Sequence, residues 1–168
     1  MTTVFSSKNG VKLYSQVGQL GATTCFDNVK WKSLGGDYYQ FHYPDDFNIS
    51  FPDNKKDYVR KLKDCFPQEK DQISRYFSLL DSAVKSAQSY FAFKLLPINL
   101  DKFLTKILNT ASTKWWTQTT EEVLDHLGIS NRLKSVLTAQ WGYYGSTPLE
   151  SSFALHAMVA PHFSHGAY

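Results

Sequence analysis

The chain has 168 residues and a formal net charge of +3, which is long enough for one core-bearing domain and too weakly charged to indicate a nucleic-acid partner. No apolar run approaches the roughly 20 residues that span a bilayer, and residues 1–10 lack the apolar core of a signal peptide. We therefore predict a cytoplasmic protein. Its two cysteines, Cys25 and Cys65, have no metal-type spacing and are predicted to be reduced thiols.

The first part of the chain, residues 1–52, is predicted to be β-rich and irregular. Residues 37–43 are mostly strand-forming aromatics, and residues 44–46 have the composition of a turn. Apolar and polar side chains then alternate over residues 47–51. This pattern predicts an antiparallel hairpin near residues 37–52 with one buried face.

Helical signals begin at residue 53. Asp53 or Asn54 can cap a helix that ends near Phe66. Its predicted buried side is Tyr58, Val59, Leu62, Cys65 and Phe66. Its basic residues are predicted to form a solvated face: Lys55, Lys56, Arg60, Lys61 and Lys63. Pro67 then suits the first turn of a long helix to about residue 93. The apolar stripe of that helix is Ile73, Tyr76, Phe77, Leu80, Val84, Ala87 and Phe91.

Three further helices are predicted from their N-terminal caps. Asn99 follows a chain-breaking proline and can cap a helix over residues 100–108. Thr119 and Glu122 form a capping box, and Gly128 stands where a left-handed residue ends that helix. Ser130 can start the next helix.

A last helix is predicted from Thr147, Pro148 and Glu150 as cap, first-turn proline and reciprocal carboxylate, and it runs to about residue 160. The predicted fold class is therefore α+β and mainly α. A β-hairpin region over residues 1–52 precedes a bundle of about six helices over residues 53–168, all in one compact domain.

No dinucleotide-binding turn is found in the sequence. A pyrophosphate is held by backbone N–H groups at a glycine-rich strand-to-helix turn. Gly18 and Gly21 lack that context, and Gly35 and Gly36 form an ordinary turn. We predict no cofactor bound by this chain.

The histidines do not form a predicted metal or catalytic site. His156, His162 and His165 are close in sequence, but Pro161 breaks the helix before the one pair with helical spacing. Serine, aspartate and histidine are all present, yet no spacing connects them into a triad. Neither metal ligands nor catalytic residues are therefore predicted.

The segment 141–147 is the predicted ligand wall. Two glycines allow a sharp turn there, and three aromatic rings offer flat apolar faces. A buried aromatic corner is the alternative interpretation. The predicted substrate-binding residues are Trp141, Tyr143, Tyr144, Phe153 and His156. Trp115 and Trp116 are interpreted either as a membrane-surface anchor or as part of the core and its edge.

Two blocks of sequence carry a resemblance to a known family. Residues 140–168 read QWGYYGSTPLESSFALHAMVAPHFSHGAY, and residues 51–77 read FPDNKKDYVRKLKDCFPQEKDQISRYF. Both are similar to segments of the retinol saturase, carotenoid isomerase and phytoene desaturase family of FAD-dependent oxidoreductases. The resemblance covers roughly residues 34–168. Residues 11–21 lack the histidine of the family's Gly-x-His-Tyr-x-Gly run.

The resemblance implies that this chain is a substrate-side fragment without the dinucleotide-binding domain. In the family a Tyr-Pro-x-Gly-Gly loop follows the segment that matches His165, Gly166, Ala167 and Tyr168, which the resemblance therefore places near the flavin of a complete enzyme. FAD is expected in the full-length parent, with a carotenoid or retinoid substrate, and this chain alone is expected to be inactive.

A second hypothesis is a stand-alone helical module that binds an apolar ligand or a membrane surface. The predicted partner is in either case an apolar polyene or lipid-like ligand, with peripheral membrane contact. The sequence does not fix an oligomeric state.

Overall fold

The computed structural model describes residues 2–7, 10–15, 36–44, 46–52, 54–94 and 114–161. Antiparallel hairpins precede six α-helices in this part of the chain, so the predicted α+β, mainly α class is confirmed. Among these residues, no helix combines the length and the apolar character that crossing a membrane requires.

Two antiparallel hairpins form the described N-terminal part. Strands β1 (Thr2–Ser7) and β2 (Gly10–Ser15) pair in one hairpin. Strands β3 (Asp37–His42) and β4 (Asn48–Pro52) pair in the other, which confirms the hairpin predicted near residues 37–52. The chain turns between β3 and β4 through Asp46, whose φ of 54° is left-handed.

The second hairpin has one apolar face, as its alternating sequence predicts. Tyr39 lies opposite Phe51, and Phe41 lies opposite Ile49. Successive residues of a strand point to opposite faces, so these four side chains share one face. The Phe41 and Phe51 rings are 5.3 Å apart at 72°, and Ile49 and Phe51 are buried.

Helix α1 (Lys55–Cys65) begins at Asn54, whose side-chain oxygen accepts from the Asp57 backbone N–H at 2.8 Å. Leu62 and Phe66 are buried as predicted, whereas Tyr58 and Val59 are half-buried. The prediction for Cys65 was wrong, because this last residue of the helix is an exposed free thiol.

The contacts divide the chain into two compact units with a boundary between Tyr58 and Val59. A division by contacts does not test independent folding. The domain boundary at residues 52–53 and the single-domain organisation therefore stay predictions.

Helix α2 (Lys70–Lys94) follows a short 3-10 turn at Pro67–Glu69 and is the longest helix described. The predicted stripe is confirmed at Ile73, Tyr76, Phe77, Leu80 and Ala87, which are buried. Val84 was predicted in it but is half-buried, and Ala83 is buried beside it. Phe91 was predicted in this stripe but is 49% exposed. The helix predicted over residues 100–108 lies outside the described residues.

Four shorter helices complete the described fold: α3 (Lys114–Thr117), α4 (Thr120–His126), α5 (Asn131–Leu137) and α6 (Phe153–Val159). The predicted capping box of α4 is present with both of its hydrogen bonds, between Thr119 and Glu122. Gly128 has a φ of 67°, and Ser130 caps α5. These local predictions are confirmed.

The predicted start of the last helix was wrong. Residues 148–150 form a turn, and the helix begins only after Ser152, whose side chain accepts from the Leu155 N–H at 3.3 Å. The cause is a long-range antiparallel bridge between Thr119 and Ser152. In it the Phe153 N–H donates to the Gln118 carbonyl at 2.9 Å, which holds Ser152 in an extended conformation.

Helix α6 lies at the centre of the second unit, where it packs on α2 and α3. Phe153, Ala154 and Ala157 on this helix have no solvent exposure. The small side chains allow close approach of the neighbouring helices, and the phenylalanine fills the space between them.

Candidate functional site

A buried imidazole joins three separate segments of the second unit. His156 on α6 is 1% exposed. Its Nε2 lies 2.8 Å from the Tyr76 Oη on α2, and its Nδ1 lies 3.1 Å from the Tyr144 Oη in the turn before α6. Both ring nitrogens of His156 therefore have a hydroxyl partner, as buried polar atoms require.

The site is uncharged near neutral pH. Burial lowers the pKa of His156 from 6.5 to about 4, because the charged imidazolium is poorly solvated in the core. Burial also raises the pKa of Tyr144, and a hydrogen bond with the Ser151 side chain opposes that rise. A neutral imidazole has one N–H donor and one acceptor nitrogen. One tyrosine must therefore donate to His156 and the other must accept from it.

Phe153 supplies the apolar side of this cluster. Its ring centroid is 5.4 Å from the Trp115 ring and 5.9 Å from the His156 ring. The Tyr76 ring lies 6.5 Å away at 71°. These spacings are typical of favourable aromatic pairs. The arrangement is an apolar aromatic core with hydroxyl groups at one edge.

The turn before α6 orients its aromatic residues in different directions. A 3-10 turn spans Trp141–Tyr143, and Gly145 follows with a φ of 73°. Trp141 is 44% exposed and Tyr143 is 61% exposed, whereas Tyr144 is half-buried. A left-handed residue at Gly145 reverses the chain without a Cβ penalty.

The structure therefore brings together only part of the predicted substrate-binding set. Tyr144 and Phe153 each contact His156 in the cluster, while Trp141 and Tyr143 lie on the surface beside it. The substrate-binding role of all five stays a prediction. The residues predicted to lie near the flavin fall outside the described part of the chain: His165, Gly166, Ala167 and Tyr168.

Sequence reasoning missed three members of the cluster. Tyr76 was assigned only to an apolar stripe, although a hydroxyl in a buried stripe signals a polar partner. Thr120 and Ser151 are also buried, and their hydroxyl oxygens are 3.0 Å apart. Ser151 is one residue from the cap of α6, and no local pattern in the sequence links it to Thr120.

The two adjacent tryptophans occupy different environments. Trp115 is 7% exposed and packs on Phe153, with the Lys114 Nζ 4.9 Å from its ring centroid. Trp116 is half-buried and contacts the rings of Tyr90 and Phe91 at 5.4 and 6.0 Å. Trp115 thus belongs to the core, and Trp116 lies at the edge of an aromatic patch.

No grouping of three or more metal-ligating side chains occurs among the described residues 36–44, 46–52, 54–94 and 114–161. The buried histidine has tyrosine hydroxyls on both nitrogens, so its lone pair is already used. The described cluster therefore leaves no imidazole lone pair for a cation.

Comparison with known proteins gives one consistent result. The chain is 35% identical over 118 residues to the all-trans-retinol 13,14-reductase of Rattus norvegicus. The proteins of the same name from Homo sapiens and Danio rerio are 33% and 30% identical over 118 residues. Each alignment covers 68% of this chain and 19% of the relative.

The chain thus spans only 19% of the length of these curated relatives. No protein-family model and no solved structure matches it. The three alignments agree with the resemblance carried by residues 51–77 and 140–168. The chain belongs to the family of the all-trans-retinol 13,14-reductases, the retinol saturase family.

Proposed function

We propose that this chain forms part of the apolar substrate-binding region of an FAD-dependent oxidoreductase that acts on a polyene, either a retinoid or a carotenoid. The observation that carries the proposal is the alignment with three proteins named as all-trans-retinol 13,14-reductases. The alignment covers 19% of those proteins. The proposal accordingly gives this chain a part of the binding region and no activity of its own.

The chemistry of the cluster supports a polyene ligand. A conjugated polyene is long, flat and apolar, and it binds best to ring faces that are free of charge. The half-buried Tyr144 offers such a surface at the edge of the cluster, and both Tyr144 and the His156 imidazole that it contacts are neutral at pH 7. A charged group in the same place would lose solvation when the ligand bound.

The proposal assigns the redox chemistry to a flavin held by other segments of the parent protein. A flavin supplies hydride transfer when it is bound, and the protein orients the substrate against it. Residues 165–168 are proposed to lie near the flavin. Within the described residues, the contribution is to bind the polyene and to exclude water from it.

Ligand binding by the isolated chain tests this proposal. We expect all-trans-retinol to quench tryptophan fluorescence saturably, because Trp115 contacts Phe153 in the cluster and Trp141 lies beside it. Dodecanol, a saturated alcohol, is the control and should bind more weakly. An absence of saturable retinol binding would contradict the proposal. Stoichiometric FAD in the purified chain, seen by its absorbance, would contradict the assignment of the flavin to other segments.

A second candidate is a stand-alone module that contacts a membrane surface. It is favoured by the aromatic patch of Tyr90, Phe91 and Trp116, in which Phe91 is 49% exposed. Aromatic side chains of this kind partition to the membrane interface. The predicted cytoplasmic location with peripheral membrane contact belongs to this candidate.

Co-sedimentation with phosphatidylcholine vesicles tests the second candidate. The Phe91→Ser variant should lose binding, whereas Met158→Leu, a substitution on a different helix, should not. Equal sedimentation of both variants would argue against a role for the patch.

A further inference from the structure

Three buried side-chain atoms have no hydrogen-bond partner among the described residues: Trp116 Nε1, Gln118 Oε1 and Gln140 Nε2. Nearly all buried polar atoms in proteins are paired, so unpaired ones are unusual. Trp116 and Gln118 are half-buried, whereas Gln140 is only 8% exposed. Gln140 is therefore the side chain for which the lack of a partner is most unfavourable.

Gln140 lies at the start of the turn that carries Tyr144. Its backbone carbonyl accepts from the Tyr143 N–H at 3.0 Å, and the Trp141 carbonyl accepts from the Tyr144 N–H at 3.1 Å. The turn is thus closed by its backbone alone. Within the described part of the chain, the Gln140 side chain makes no capping hydrogen bond to the 3-10 turn that follows it. Holding the turn in shape is therefore not the role of this amide.

An unpaired buried amide at the edge of the predicted ligand wall, residues 141–147, fits a polar atom of the ligand. A primary amide donates through its nitrogen and accepts through its oxygen, and an alcohol can likewise donate and accept. A conjugated hydrocarbon can do neither. Leaving the Gln140 Nε2 buried and unpaired is unfavourable, and a ligand oxygen that accepts from it would remove that cost.

We propose that the Gln140 amide binds the oxygen of the ligand and thereby selects an oxygenated polyene over a hydrocarbon polyene. This inference rests on the proposed function and adds a residue that determines specificity. Because the Gln140 Nε2 is buried, the ligand oxygen reaches it only when a neighbouring side chain moves. Trp141 is next in the sequence and is 44% exposed, and exposed side chains change rotamer rapidly. The Trp141 side chain is therefore the part of the wall that we expect to open.

Two polyenes that differ by one oxygen test the proposal. Axerophthene is the hydrocarbon in which a methyl group replaces the CH2OH group of all-trans-retinol. Saturable quenching of tryptophan fluorescence gives a Kd for each ligand. The variant is Gln140→Met, which keeps the length of the side chain and removes the amide. Gln118→Met is the matched control, because the Gln118 amide also has an unpaired buried atom but follows α3 and lies outside the turn.

We expect Gln140→Met to weaken retinol binding about tenfold, the factor for one hydrogen bond to a buried donor, and to leave the Kd of axerophthene within about twofold. Comparing the same two ligands in every chain cancels the difference in their hydration. In Gln118→Met the ratio of the two Kd values should stay within about twofold of that in the unsubstituted chain. A ratio that does not change in Gln140→Met, or that changes equally in both variants, would overturn the proposal.

Thermal stability measured without ligand gives a second readout. Because no described residue accepts from the Gln140 Nε2, Gln140→Met should have a thermal midpoint equal to or above that of the unsubstituted chain. A lower midpoint would mean that the amide stabilises the fold, and would overturn the proposal. If the unsubstituted chain binds neither polyene, the proposed function fails and this inference fails with it. Binding of both polyenes with a ratio that Gln140→Met does not change refutes this inference alone.

Discussion

Tyr76 and His156 are 80 positions apart in the sequence, yet the Tyr76 Oη and the His156 Nε2 are 2.8 Å apart in the core. The bond links the longest described helix to α6, and both side chains are at most 2% exposed. Two neutral polar groups in so apolar a place are stable only as a pair. The pair therefore fixes how these two helices pack.

Tyr76→Phe should lower the free energy of unfolding by about 1–3 kcal/mol, because it leaves the His156 Nε2 buried without its hydrogen-bond partner. Urea denaturation measures the change. Tyr143→Phe is the matched control, since that side chain is 61% exposed and should change stability by less than about 0.5 kcal/mol. Equal effects of the two substitutions would show that the buried bond does not contribute.

Stability should fall as the pH drops from about 6.5 to about 4, by about 3 kcal/mol, because the pKa of His156 is about 4 when folded and 6.5 in the reference state. In this window the unfolded chain binds the proton and the folded chain does not, so protonation favours unfolding. Above pH 6.5 the histidine is neutral in both the folded and the unfolded chain, so its effect on the free energy of unfolding no longer changes with pH.

The side chains on the His156 ring nitrogens, Tyr76 and Tyr144, do not ionise in that acidic window, but carboxylates elsewhere do. The difference in pH dependence between the unsubstituted 168-residue chain and His156→Asn therefore isolates the contribution of the histidine. Denaturation midpoints at pH 7 and pH 5 for both chains provide the measurement. A pH dependence that is the same in both would mean that His156 titrates normally.

Gly128→Ala should destabilise the protein by about 1 kcal/mol, because Gly128 has a φ of 67°, which disfavours any residue with a Cβ. A Cβ at this position meets no atom within 4 Å, so the cost comes from the backbone alone. Gly142→Ala is the control: it too meets no atom within 4 Å, and its φ is not positive. A change in thermal midpoint of equal size for both variants would contradict this explanation.

A bond that joins the start of α2 to the start of α5 also contributes to stability. The Glu69 carboxylate accepts from the Ser130 N–H at 2.8 Å and from the Ser130 hydroxyl at 2.7 Å. Glu69→Ala should cost about 1 kcal/mol, since the pair is exposed but the acceptor is charged. Glu69→Gln keeps one acceptor and should cost less. If chemical denaturation ranks the two in the opposite order, the carboxylate is not the acceptor that matters.

The sequence predicts those parts of this fold that depend on neighbouring residues. The caps at Asn54, Thr119 and Ser130 act within three residues, and the hairpin at 37–52 follows from alternation and a turn. The last helix was misplaced because a remote bridge to Thr119 decides where it begins.

The candidate site could be predicted only in part for the same reason. The aromatic content of residues 141–144 singled out this segment as the predicted ligand wall, but burial separates Tyr144 from Trp141 and Tyr143. The partner of His156 on α2 is 80 residues away, and a single sequence contains no pattern that pairs the two. Packing of helices against one another determines these contacts.

The central claim is that residues 141–156 form a wall of a polyene-binding site. Photolabelling of the 168-residue chain with a photoreactive retinoid, followed by peptide mass spectrometry, tests it most directly. Our account predicts that the label is found within residues 141–156 or on Tyr76, and that excess all-trans-retinol suppresses it. Labelling confined to the hairpin at residues 37–52, or labelling that retinol does not suppress, would contradict the account.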